Sequence, residues 1–209
     1  MTADIPVDRL LALNVSRESL EKLDLYVSLL LQWQKHINLV GPSTTKTIWN
    51  RHILDAVQIL PLFSSNARRI ADLGSGAGIP GLVLSLAGNL EAHLYESNGK
   101  KCAFLREAIR RTGARAYVHQ VRLESLPSAS DIPGVDAVVA RALAPLGLLL
   151  DYALPFINAG ARAYLHKGQD VEAELTEAAK CWKTTFVRHP SQTDSRGVII
   201  EVVEAARVG

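Results

Sequence analysis

Arg69-Ile70-Ala71-Asp72-Leu73-Gly74-Ser75-Gly76-Ala77-Gly78-Ile79-Pro80-Gly81-Leu82 is the stretch around which the chain is organised. The apolar run Ile70 to Leu73 predicts a short buried strand. The glycines predict a turn. Pro80 predicts the start of a helix, because a proline's missing N–H has no intrahelical partner in the first turn. Gly74, Gly76 and Gly78 stand at alternate positions. A plain strand-to-helix turn needs one such residue, two at most. Three in this pattern predict a loop whose bare backbone a ligand can approach.

Two ligands compete for that loop. Gly76 through Gly81 matches G-x-G-x-x-G, the dinucleotide pattern that seats a pyrophosphate on a helix N-terminus. Taken alone, that match is weak. Asp72 through Gly78 reads instead as Asp-x-Gly-x-Gly-x-Gly and resembles the nucleotide loop of class I S-adenosylmethionine-dependent methyltransferases. In those enzymes the leading acid lies near the cationic methionine part and a second acid, after strand two, binds the ribose. Glu96 ends the next apolar run and suits either ligand. Asp72 separates them: a carboxylate at the mouth attracts a sulfonium and repels a pyrophosphate.

The 209 residues suffice for one α/β domain with a small appendage, and 48% hydrophobic content suits a globular protein. The start, Met1-Thr2-Ala3-Asp4-Ile5-Pro6, lacks the basic and apolar segments of a signal peptide, so a cytoplasmic location is expected. The longest apolar stretch, Ala142 to Leu150, is broken by Pro145 and Gly147 and too short to span a bilayer. Cys102 and Cys181 are isolated, which fits a reducing compartment. The six histidines show no metal-ligand spacing, so no metal is expected. Net charge is only +2, yet Lys100, Lys101, Arg106, Arg110, Arg111 and Arg115 crowd one segment against Glu107. Such a run is either a solvated helix face or a phosphate-facing surface.

Residues 4 to 14 predict a short helix. Ser16 can cap a longer one carrying Leu20, Leu23, Val27 and Leu30 at helical spacing. Tyr26 and Trp33 are expected in the core rather than stacked on a base. A third helix is expected from Thr45 to Leu60, with Arg51, His52 and Asp55 beside its apolar stripe. From Arg69 the rhythm becomes strand, helix, strand. Strands are predicted at Ala92–Glu96, Ala116–Val121, Val135–Ala140 and Arg162–His166. Helices are predicted at Gly81–Leu86, Gly99–Thr112, Leu146–Leu154 and Val171–Trp182. Two last strands, Thr185–Arg188 and Val198–Val203, are too closely linked for a crossover and should pair antiparallel. The fold class is therefore α/β: a Rossmann-like, mainly parallel sheet of seven strands covered on both faces. One boundary is drawn, between a helical extension at 1–66 and the body at 67–209.

Ligands of an open parallel sheet lie outside the carboxyl ends of its strands. That rule selects Asp72, Gly74, Ser75, Gly76, Gly78 and Ile79 after strand one and Glu96 after strand two. After strand three it selects Leu123 and Glu124, an apolar face and an acceptor for an adenine. Arg141 follows strand four, where its fork of donors suits a phosphate or the O6/N7 edge of guanine. Lys167 follows strand five. Two cations at one mouth favour an anionic substrate, although each is equally a solvated rim charge. No Asn/Asp-Pro-Pro-aromatic follows strand four and no cysteine stands there to attack a pyrimidine. Guanine N7 fits this absence, since it has a free lone pair and loses no proton on methylation.

Asp72-Leu-Gly-Ser-Gly-Ala-Gly-Ile-Pro-Gly81, Arg51-His-Ile-Leu-Asp55, Ala140-Arg-Ala142 and Lys167-Gly-Gln169 together resemble the ribosomal RNA small subunit methyltransferase G family, also called glucose-inhibited division protein B. The resemblance runs from about Asn38 to Gln169. It implies a class I methyltransferase fold, S-adenosyl-L-methionine as cofactor, and methylation of N7 of guanosine 527 in 16S rRNA near the decoding centre. It implies cofactor contacts at Gly74, Ile79, Leu123, Glu124 and Arg141, with Arg141 the residue on which catalysis depends. Arg51, His52, Lys100, Lys101, Arg106, Arg141 and Lys167 are the candidate contacts to 16S rRNA or the small ribosomal subunit. A monomer acting without metal or membrane is expected. Two other readings stand beside it: an NAD-dependent oxidoreductase, from the literal G-x-G-x-x-G, and a non-catalytic RNA-binding module on the same fold. Asp72 and the lack of a hydride-relay tyrosine–lysine or histidine argue against the first. RNA binding without cofactor affinity would select the second.

Overall fold

A computed structural model describes residues 5–126 and 134–208. Seven strands form one sheet in the order β3-β2-β1-β4-β5-β7-β6. They are β1 (Arg69–Leu73), β2 (Glu91–Glu96), β3 (Ala116–Gln120), β4 (Ala137–Arg141), β5 (Arg162–Lys167), β6 (Trp182–Pro190) and β7 (Val198–Arg207). β1 pairs in parallel with β2 and β4, so β1/β4 is the switch point where the strand order reverses. β7 runs antiparallel to both β5 and β6, as the short link between the last two strands requires.

Strand alternation sorts the core into two layers. Ile70, Ala92, Leu94, Ala137 and Val139 face one side, and Ala71, Leu73, Tyr95, Val138 and Ala140 the other. The first side is covered by α4 (Gly81–Gly88) and α5 (Gly99–Thr112), the second by α6 (Leu146–Asn158) and α7 (Val171–Ala178). Each covering helix follows its strand. α5 has both termini written in sequence. Asn98 Oδ1 accepts from the Lys100 and Lys101 amides, and Gly113, at φ 67°, closes the other end.

The helical front is α1 (Val7–Ala12) and α2 (Arg17–Trp33), the latter capped by Ser16. The expected start of α1 at Asp4 lies outside the described residues. α2 packs on α4 and α5, and Leu23, Tyr26 and Leu30 are fully buried in the same core layer as Ile70 and Leu94. The expected single helix from Thr45 to Leu60 is instead a broken path. A 3-10 segment, Pro42–Thr47, leads to a π-helical turn, Trp49–Leu54, a single turn α3 (Asp55–Val57) and a 3-10 turn, Leu60–Leu62. Local bonds favour the tighter winding at its start: Thr44 and Thr45 hydroxyls donate to carbonyls three residues back. The helix expected to reach Trp182 ends at Ala178, because Trp182 opens β6 and buries its ring in the second core layer.

Candidate active site

The carboxyl ends of β1 to β5 meet at one rim. After β1 the loop takes positive φ at Gly74, Gly76 and Gly78. At Gly74, φ 70° strains any side chain, and an added Cβ 2.5 Å from Leu143 Cδ1 would also make the leucine side chain move. At Gly76 it would meet nothing closer than the Gly74 carbonyl, 3.8 Å away. Gly76 is thus where backbone is open to approach. Its amide and its neighbours are pinned from several directions. Glu96 Oε2 accepts from the Gly76 amide at 2.8 Å, and Ser75 donates its amide to the Tyr95 carbonyl at 2.9 Å. Tyr26 of α2 donates its hydroxyl to the Ala77 carbonyl at 2.7 Å. Tyr26 is core, as its place in the apolar stripe predicts, but its hydroxyl also holds the loop. A hydroxyl inside an otherwise apolar helix face was the available signal.

Asp72 is not at the lip of this site. It is fully buried beneath the loop, where Oδ2 accepts from the Gly81 amide at 3.0 Å and Oδ1 has no partner. The cause is strand alternation: residue 72 points to the helix-covered side, into the space that Gly81 leaves by lacking a side chain. A Cβ at Gly81 would sit 2.6 Å from Asp72 Oδ2. Burial pushes the carboxyl up to about 7; the Gly81 amide and Arg141 pull it down and Glu96 pushes it further up. Glu96, 8% exposed, also accepts from the Asn98 amide at 2.7 Å. Each of its oxygens therefore holds one backbone N–H and keeps a lone pair. Leu123 is half-buried on a 3-10 turn, and the exposed Glu124 beside it accepts from the Tyr152 hydroxyl at 2.7 Å.

The β4–β5 half is built differently. Arg141 Nη1 donates to Asp55 Oδ2 at 2.8 Å and to the Arg51 carbonyl at 3.2 Å, and Nη2 donates to His52 Nδ1. Since arginine only donates, His52 Nδ1 is the acceptor. The proton of the neutral ring is then on Nε2, which donates to Thr44 Oγ1 at 2.7 Å. Burial and the Arg141 charge hold the His52 ring down at about 4. Asp55 Oδ1 is shared by Gln58 at 2.8 Å and by Thr193 of the β6–β7 turn at 2.5 Å. Sequence places Arg51, His52 and Asp55 on one polar helix face; the π turn and α3 direct His52, Asp55 and the Arg51 carbonyl at Arg141, while the Arg51 side chain turns to Asp194. Nothing in sequence flags Thr193, which joins them from 138 residues away.

Two expectations need correction. His52 is 5% exposed with both nitrogens engaged, so it presents no donor to RNA; desolvation cost forces such a ring to be satisfied inside. Lys167 is not a free rim cation. Its side chain is 7% exposed, paired with Glu174 Oε2 at 2.6 Å and donating to the Ala144 carbonyl at 2.9 Å. Glu174 also accepts from the Leu146 amide at 2.7 Å, so it ties β5 to the start of α6. Arg51 stays half exposed while paired with Asp194 at 2.7 Å. A cavity of about 230 Å³ opens among Arg51, Asp55, Arg141, His166, Lys167 and Asp194. Lys100, Lys101 and Arg106 lie on α5 and none of them lines that cavity.

The β1–β2 half fits a cation-bearing nucleoside cofactor on three counts: the open backbone at Gly76, a buried carboxylate oxygen without a partner, and a second acid with lone pairs to spare. A family model described as rRNA small subunit methyltransferase G matches residues 19–197. Curated relatives bearing the name ribosomal RNA small subunit methyltransferase G include that of Paramagnetospirillum magneticum, 48% identical over 97% of both chains. Another, from Rhodospirillum rubrum, is 46% identical over 98% of this chain and 96% of its own. Among solved structures, the glycopeptide N-methyltransferase MtfA complexed with S-adenosyl-L-methionine superposes with a TM-score of 0.55 at 10% identity, covering 73% of this chain and 93% of its own. The precorrin-6y C5,15-methyltransferase of Geobacter metallireducens gives 0.51 at 15% identity, over 83% and 95%. At such identities these two structures speak for the fold alone.

Proposed function

Since the chain belongs to the rRNA small subunit methyltransferase G family, we propose that it methylates N7 of guanosine 527 in 16S rRNA, with S-adenosyl-L-methionine as donor. The observation that carries this is the acidic pair Asp72 and Glu96 around an open glycine loop. Neither carboxylate has a cationic side chain as hydrogen-bond partner; both are met by backbone amides. When bound, the donor supplies an electrophilic methyl group on a positively charged sulfur.

The residues of this chain bind and orient. Gly76 leaves backbone open, Glu96 offers acceptors to ribose hydroxyls, and Leu123 supplies an apolar face for the adenine. Asp72 places negative charge under the loop. Arg141 has five N–H groups, of which three are taken by Asp55, His52 and the Arg51 carbonyl. The remaining two, one on Nη2 and one on Nε, are left to hold the guanine in line. N7 carries its own lone pair, so no side chain needs to remove a proton, and rate comes from positioning and exclusion of water. The front, 1–66, and the body, 67–209, act as one unit in this scheme because the front clamps both the loop and Arg141. The protein is taken to work as a cytoplasmic monomer. No described helix is long and apolar enough to cross a membrane.

The test is transfer of labelled methyl from S-adenosylmethionine to small-subunit particles lacking the modification, with the product mapped by mass spectrometry. Label at N7 of guanosine 527 is expected. Label on another base, or binding of NAD in place of S-adenosylmethionine in parallel calorimetry, would refute the proposal.

A further inference from the structure

The six cations that crowd residues 100 to 115 do not form one surface. Arg110 and Arg111 both reach Glu107, at 2.7 and 4.0 Å, and Arg115 reaches Glu91 at 3.6 Å. Among the described residues, no carboxylate lies within ion-pair distance of Lys100, Lys101 or Arg106. Lys100 sits in the first turn of α5 and lines a groove of about 420 Å³ between α5 and the end of α2. The other walls are Gln32, Trp33, His36, Ile37 and Ala103. No acid is among them. Exposed Lys35 adds a further positive charge beside His36.

Trp33 distinguishes this groove from an ordinary helix crossing. Trp49 and Trp182 are 3% and 4% exposed. Trp33 is only half-buried; one side of its indole meets Phe104 edge-on at 5.7 Å. The indole is therefore anchored on Phe104 while part of it stays accessible in the groove. An accessible aromatic wall, an apolar neighbour in Ile37 and a rim carrying unpaired positive charge match the parts of an unpaired nucleotide: a base to stack and a phosphate to neutralise. α5 starts three residues beyond Glu96, so the groove flanks the nucleoside half of the active-site rim.

We propose that the Trp33–Lys100 groove binds an unpaired nucleotide of the RNA substrate, stacking its base on Trp33 and holding its phosphate with Lys100. This deepens the rRNA methyltransferase reading and rests on it for the identity of the strand. Lys100 is then an RNA contact with a defined neighbour, whereas Arg110 and Arg111 are solvated and internally paired.

The experiment titrates the full-length protein with a single-stranded oligoadenylate of about ten nucleotides, following tryptophan emission and fluorescence anisotropy together. Quenching that saturates with the anisotropy change is expected. Lys100→Glu should weaken binding about tenfold and flatten its dependence on salt by about one phosphate contact. Trp33→Phe should keep most of the affinity and Trp33→Leu should lose it. Arg110→Glu should alter affinity less than about twofold. Oligoadenylate binding without quenching and unaffected by Lys100→Glu would overturn the proposal, since RNA would then lie elsewhere. Emission that responds to an isolated ribosomal protein and not to RNA would overturn it in favour of a protein partner. Both outcomes are separable from failure of the methyltransferase reading, which appears as loss of S-adenosylmethionine binding in calorimetry on the same samples.

Discussion

The two halves of the active-site rim handle charge in opposite ways. On the β1–β2 side, Asp72 and Glu96 are buried acids whose hydrogen bonds come from backbone amides. On the β4–β5 side, each cation has its own carboxylate: Arg141 has Asp55 and Lys167 has Glu174. An amide lowers the cost of burying a carboxylate but cancels none of its charge. A carboxylate partner cancels the cation's charge and fixes its geometry. The first half therefore holds acids with no ion-pair partner, suited to a cationic ligand. The second is a set of neutralised, oriented donors, suited to positioning rather than to capturing phosphate. The cations after strands four and five suggest an anionic substrate when met in sequence; their carboxylate partners, Asp55 far away in the chain and Glu174 on the next helix, change that meaning.

The comparison breaks most visibly at Arg141. Arg141→Ala should lower kcat/KM for methyl transfer by about a hundredfold, the order that misplacement of a reacting group costs, and should leave residual turnover because no nucleophile is lost. It also strands Asp55, whose side chain is 13% exposed, so a fall in stability of about 3 kcal/mol is expected in urea melts. Unchanged kinetics would remove Arg141 from the mechanism.

Asp55→Asn sharpens the same half with a smaller effect. Arg141 keeps its bonds to His52 and the Arg51 carbonyl but loses its counter-charge. A fall in kcat of about tenfold, with KM for S-adenosylmethionine little changed, is expected in steady-state assays. Equal loss in KM alone would place Asp55 on the cofactor side.

What sequence revealed follows from how local each determinant is. α5 runs between the residues predicted for it because Asn98 and Gly113 are written at its ends. β1 and β4 were legible because each is a short apolar run, whereas β6 and β7 extend past the expected Thr185–Arg188 and Val198–Val203 because their added residues carry no such run. Asp72 was legible as a feature of the site and wrong in depth, because its burial depends on the absent side chain at Gly81, nine residues on. Thr45 to Leu60 reads as one helix since its apolar periodicity is helical; the threonine hydroxyls at its start and the contacts of His52 and Asp55 with Arg141 prevail over that periodicity. Thr193 and Glu174 carry no local signature at all. The role of Thr193 arises only when β7 folds beside β5, and that of Glu174 when α7 packs beside α6 and its carboxylate meets Lys167 and the Leu146 amide.

Lys167→Met separates clamp from phosphate contact. With the lysine 7% exposed and bound to Glu174, the expected result is a loss of about 2 kcal/mol in stability and no change in the salt dependence of RNA binding. A flattened salt dependence would restore Lys167 as a phosphate contact.

The halves should also differ in their response to pH. His52 is held below its ordinary value of 6.5, at about 4, so the unfolded chain binds its proton first. Stability from this group is present above pH 6.5 and is lost as pH falls toward 4. Asp72 is raised from 3.8 to about 7, so its contribution is present below pH 3.8 and lost as pH rises through 7. Thermal melts should therefore show Asp72→Asn gaining on the wild type between pH 5 and 8, by at most about 3 kcal/mol. A constant difference across that range would show that Asp72 does not titrate there.

The Asp72 carboxyl beneath the glycine loop acts on the sulfonium, and the sulfonium is what distinguishes S-adenosylmethionine from S-adenosylhomocysteine. Asp72 faces Glu96 on β2, Arg141 on β4 and Tyr26 on α2; Tyr26 is itself raised by burial and stays neutral. Calorimetry of both ligands from pH 5.5 to 8.5 should show the affinity ratio rising in favour of S-adenosylmethionine by up to about tenfold as Asp72 ionises near pH 7, and a flat ratio in Asp72→Asn. A ratio independent of pH in the wild type, or rising equally in Asp72→Asn, would contradict that role for Asp72.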